Sequence, residues 1–69
     1  GTAVSRATSF VNNNFPEFNE AGTYVSPVFM NMKPVYVVDF VLNDPPSGLS
    51  VVVSRDLNQI WPYEYIKSE

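Results

Sequence analysis

The sequence predicts an α+β domain: one N-terminal helix packed on a three- to four-stranded antiparallel sheet, in the order helix, strand, strand, strand. Three observations predict it. Apolar residues between Ala3 and Phe15 recur at helical spacing. From Pro34 to Val53, two runs of two-residue alternation flank a cluster of turn-forming residues. No internal repeat, low-complexity tract or long linker divides the 69 residues, so a single small domain spans 1–69. A chain this short buries only roughly 60% of its unfolded surface, which predicts modest stability.

In the first element, Ala3, Val4, Ala7, Phe10, Val11 and Phe15 fall within about 140° of arc at roughly 100° per residue, one apolar stripe. Thr2 is placed to cap the amino end. Asn12-Asn13-Asn14 followed by Pro16 supplies the stop, so the helix is expected over about Thr2 to Asn13. Its polar face carries only Arg6 among Ser, Thr and Asn, which favours core packing over a membrane surface. Residues Phe15 to Thr23 read as a connector, with Phe18 tucked against the helix. A first strand is expected over Tyr24 to Met32, with Pro27 marking an edge or a bulge and Lys33-Pro34 turning into the next strand.

That next strand puts Tyr36, Val38, Phe40 and Leu42 on one face, and Leu49, Val51 and Val53 do the same for the strand after it. Between them, Asn43-Asp44-Pro45-Pro46-Ser47-Gly48 is rich in residues that pre-set φ or cap turns, so it reads as the reversal. Ser54 to Gln59 is polar enough for a second turn, with Asn58 suited to positive φ. Ile60 and Trp61 resume apolar character.

Composition removes whole classes of function. The chain has no Cys and no His, which excludes disulfides, thiol catalysis, imidazole bases and the common zinc sites. One compact core leaves little room for a deep pocket, so no cofactor is expected. Net charge is -3, and Arg6, Lys33, Arg55 and Lys67 are scattered, which disfavours nucleic acid. No apolar run approaches the roughly 20 residues of a spanning helix, so no membrane insertion is expected. The start at Gly1 rather than Met suggests a mature or excised part of a larger protein.

Few residues offer chemistry. Asp39 interrupts an apolar strand on the face shared by Val35, Val37 and Val41; it reads either as a perturbed acid at a site or as a charge on the solvent side of a one-sided sheet. Glu17 and Glu20 fall short of the oxygens calcium needs, and Ser5 and Ser47 lack a histidine base. Trp61, Tyr63 and Tyr65 alternate, so all three could project from one face as an interface; equally, Trp61 could cover the open end of the core with the tyrosines beside it. Valines 35, 37, 41 and 52 lie on the face turned from the helix, which suggests a cover from another chain or domain. The candidate partner-contacting set is therefore Val35, Val37, Asp39, Val41, Trp61, Tyr63 and Tyr65.

The chain resembles the PepSY domain, a small module of peptidase propeptides and of bacterial secreted or envelope proteins. Nearly its whole length is involved. The family's aromatic, Val and apolar residues at alternate strand positions are matched by Tyr36, Val38 and Phe40, and its strand-closing Val by Val53. Ser54 stands where the family usually has Asp, Leu57 and Asn58 replace its Thr-Gly, and Ile60 fills the apolar position after the turn. The resemblance implies a non-catalytic regulatory module that works outside the cytoplasm, secreted, periplasmic or in the cell envelope, by occupying the surface of a peptidase or another envelope protein. The alternative is a structural domain whose valine face packs against a neighbouring domain of the same larger protein. A cystatin-like sheet is a neighbouring architecture, but the Gln-x-Val-x-Gly loop of inhibitory cystatins is absent.

Overall fold

The computed structural model describes residues 2–43 and 46–67. Helix α1 (Ala3–Asn14) leads through a 3-10 turn (Pro16–Phe18) into four strands, β1 (Gly22–Met30), β2 (Lys33–Asn43), β3 (Pro46–Ser54) and β4 (Ile60–Lys67). The strands form one antiparallel sheet in sequence order, β1-β2-β3-β4, and α1 packs on one face of it. This is the expected α+β architecture, with the full four strands.

The ends of α1 follow from its sequence. Thr2 Oγ1 accepts the Ser5 backbone N–H at 3.1 Å, satisfying a donor that the first turn leaves orphaned. At the other end, Phe15 N–H donates to Val11 O at 2.7 Å and the Asn14 amide to Phe10 O at 2.8 Å, before Pro16 breaks the run. The stripe turns inward: Ala3, Ala7 and Val11 are buried, and Phe10 and Phe15 pack at its margin. They meet Val38 and Phe40 of β2, Leu49, Val51 and Val53 of β3, and Phe18 of the 3-10 turn, with Tyr36 and Leu42 half-buried beside them. The seven residues assigned to one sheet face all lie on this helix side.

Pro27 sits, as expected, in an edge strand, opposite Tyr36. The turns differ from expectation. The β1–β2 reversal falls at Asn31-Met32, with φ of 53° and 65°, and Lys33 and Pro34 already belong to β2. Two successive positive φ values give a hairpin turn whose twist matches that of the strands. Pro34 is tolerated there because β2 pairs with β3 only from Val35 onward, so the proline has β1 alone as a neighbour. The second reversal is shorter than the six residues expected. Pairing runs out to Asn43 and Pro46, and Ser47 and Gly48 find strand partners on both β2 and β4, which outweighs their turn propensity. Asp44 and Pro45 lie outside the described residues.

In the third turn Leu57, not Asn58, takes positive φ, at 65°. The cause is a side-chain network. Asp56 Oδ1 accepts Ser54 Oγ–H at 2.6 Å and Asn58 N–H at 3.0 Å, while Ser54 Oγ accepts Gln59 N–H at 3.0 Å. That arrangement leaves Leu57 at the bend, from which its side chain packs against the core.

Candidate functional site

The face of the sheet turned away from α1 is open, and register alone determines what it displays. One row across the sheet is Ser26, Val37, Val52 and Trp61; another is Tyr24, Asp39, Ser50 and Glu64; a third is Gly22, Val41, Gly48 and Ile66. Val28 and Val35 pair at the end nearer the first hairpin. Val35 and Val52 are buried although they stand outside the helix-side core. Val37 and Val41 are half-buried, while Trp61 is 38% and Ile66 60% exposed. The face thus carries two apolar bands, one around Val35, Val37, Val52 and Trp61 and one around Val41 and Ile66, separated by one polar row.

Within that row Asp39 Oδ1 accepts Ser50 Oγ–H at 2.6 Å. Asp39 is therefore half-buried among valines with a neutral partner, and the row continues to the exposed Glu64 on β4. Beside it the absence of a side chain at Gly48 leaves a notch of about 210 Å³, walled by Tyr24, Val41, Ile66 and the two carboxylates. A second cleft, lined by Met30, Val35, Trp61 and Tyr63, opens at the other end of the same face.

The aromatic tail does not share one side. Val51 pairs with Pro62 but Ser50 with Glu64, so Tyr63 is the extra residue of a β-bulge and the alternation resets across it. Trp61, opposite Val52, looks out on the open face, and Tyr63 lines the cleft beside it. Tyr65, opposite Leu49, turns to the helix side. Its ring meets Phe18 edge-on at 5.5 Å and Phe15 at 5.9 Å, and its hydroxyl donates to Glu17 Oε2 at 2.9 Å. The Glu17 hydrogen bond, with some burial, pushes the Tyr65 phenol above its usual value. Tyr65 fastens β4 to the 3-10 turn on the helix side, across the sheet from Trp61.

Of the residues singled out from sequence, Val35, Val37, Asp39, Val41, Trp61 and Tyr63 do come together on the open face. Ser50, Gly48, Glu64 and Ile66 belong with them and were not anticipated. Only the register between β2, β3 and β4 reveals them, and that depends on how far the β2–β3 pairing extends and on a bulge, neither of which alternation announces. Glu17 is engaged with Tyr65, and no three acidic side chains gather as metal ligands would among the described residues. No helix there is long and apolar enough to cross a membrane. Compared with protein-family models, curated proteins and solved structures, the chain matches none.

Proposed function

We propose that the domain is a non-catalytic protein-binding module that regulates a peptidase, or another protein outside the cytoplasm, by docking through its open sheet face. One observation carries this: the face presents apolar bands on both sides of its polar row, with Val37 and Val41 half-buried and Trp61 and Ile66 exposed, and among the described residues no layer is packed across it. A surface of that kind gains free energy at ~25 cal/mol per Å² when another protein covers it. The resemblance of Tyr36, Val38, Phe40 and Val53 to the PepSY pattern supplies the regulatory, extracytoplasmic setting. The same face supports a second reading, in which the cover is a neighbouring domain of the same polypeptide.

A photo-crosslinking residue at Val41, in the intact protein that carries the domain, tests both. The expected product joins the domain to a second protein, and Val37→Lys removes it while leaving the domain folded. If that protein is a peptidase, added domain lowers its activity and the Val37→Lys domain does not. A cross-link confined to the same polypeptide moves the assignment to an accessory structural domain, and no cross-link at all sinks both readings.

A further inference from the structure

The polar row restricts what can dock. Any cover laid on the open face removes water from Asp39, whose hydrogen-bond partner is the neutral Ser50 hydroxyl, and from Glu64 in the same row. No Lys or Arg pairs with either carboxylate among the described residues. Lys33 stands at the far end of the face opposite Met30, and Arg55 lies over the Tyr36 ring on the helix side, 5.6 Å from its centroid. A wholly apolar partner would leave two carboxylates desolvated and unpaired, a cost that offsets the gain from burying the valines. A partner that brings a positive charge to this point removes that cost.

The shape of the surface fits the same requirement. The notch over Gly48 is a side-chain-sized gap with apolar walls, Val41, Ile66 and the Tyr24 ring, and carboxylates along one flank. A lysine or arginine side chain has the matching division into an apolar stem and a charged head. A second copy of the domain does not: a two-fold contact centred here sets carboxylate against carboxylate, on a chain whose net charge is already -3. We propose that the notch receives one lysine or arginine side chain of the docking partner, its stem against Val41, Ile66 and Tyr24 and its head between Asp39 and Glu64. This rests on the docking role proposed for the open face and specifies its occupant.

The notch can be closed without disturbing the fold. A Cβ added at Gly48 meets nothing within 4 Å, and Gly48 has no positive φ, so Gly48→Val fits the strand while filling the gap. Asp39→Asn with Glu64→Gln removes the charges and keeps an oxygen for Ser50. The probes are Ac-Val-Arg-Val-NH2 and its norleucine counterpart, titrated to about 10 mM, tenfold above a ~1 mM dissociation constant, against the 15N-labelled domain. The arginine peptide is expected to shift the amides of Gly48, Ser50 and Ile66 and to bind at least about tenfold more tightly than the norleucine peptide. Gly48→Val abolishes that binding, and the double amide variant reduces it to the norleucine level. Equal binding of the two peptides, both lost in Val37→Lys, overturns the cation site while the docking face stands. Arginine binding that survives Gly48→Val also overturns it, by placing the cation elsewhere. No shift with either peptide overturns the cation site and counts against the docking face with it.

Discussion

Single residues at the two described turns show how backbone strain and side-chain hydrogen bonds are distributed. Met32 holds φ of 65° while 95% exposed, so it bears the left-handed penalty with no packing in return. That penalty is ~1–2 kcal/mol for a residue with a Cβ, and Asn-Gly is the favoured pair for this hairpin. Met32→Gly should therefore stabilise the domain by about 0.5–1 kcal/mol after the entropy of glycine is subtracted, a rise of a few degrees in Tm by calorimetry. Asp56 is the opposite case, a residue well matched to its place. Hydrogen bonds from Ser54 Oγ–H and Asn58 N–H favour its charged form and hold its carboxyl below the ordinary 3.8. With the folded pKa lower than the unfolded one, the stabilisation is present above the unfolded value and is lost as pH falls through the folded one. Thermal melts from about pH 5 to about pH 2 should show wild type above Asp56→Asn at the upper end and the gap closing at the lower. A constant gap would mean that shape, not charge, organises the turn.

At the scale of elements, what could be read in the sequence was periodicity, and what could not was register. The α1 stripe and the helix-side faces of β2 and β3 are long runs of one period, so Ala7, Val11, Val38, Phe40, Leu49, Val51 and Val53 were identifiable as core. The reversal around Asn43 to Gly48 was not, because Ser47 and Gly48 have turn propensity yet gain strand partners on both sides. β4 departs from plain alternation for a sharper reason: that period would put Trp61, Tyr63 and Tyr65 on one side, and a single extra residue undoes it. Because Glu64, not Tyr63, pairs with Ser50, deleting Tyr63 should join Pro62 to Glu64 in regular register. The shortened domain is then expected to fold with Tyr65 still on the helix side. Its signature is alkaline: the Tyr65 phenol is held above 10.0 by Glu17, so this stabilisation is complete below the unfolded pKa and lost as pH rises through the folded one. The deletion should keep that alkaline loss, relative to the same deletion carrying Tyr65→Phe. If the two melt alike at high pH, Tyr65 has changed faces and the bulge does more than absorb a residue.

Across the whole molecule, one helix shields one face of a four-stranded sheet, and the other face is left to whatever the domain meets. The two faces therefore carry different kinds of mutation. Val52 is fully buried on the open face, enclosed in register between Val37 and Trp61, so a charge there should damage the fold itself. Val37 is half-buried, and a lysine in its place can carry its ammonium to water, which separates association from folding. That separation makes docking visible as stability. A partner that binds only the folded domain stabilises it by ~2.7 kcal/mol at one hundred times its dissociation constant. For a domain of this size that corresponds to a Tm rise of about 10–20 °C. Trp61, the single tryptophan, reports the event from the surface concerned, and its quenching by acrylamide should fall as the partner saturates. Val37→Lys is expected to keep the Tm of the isolated domain within a few degrees and to lose both the partner-induced rise and the protection of Trp61. A rise in Tm that leaves Trp61 as accessible as before would locate the partner on α1 or on a sheet edge, and the open face would then need another explanation for its valines.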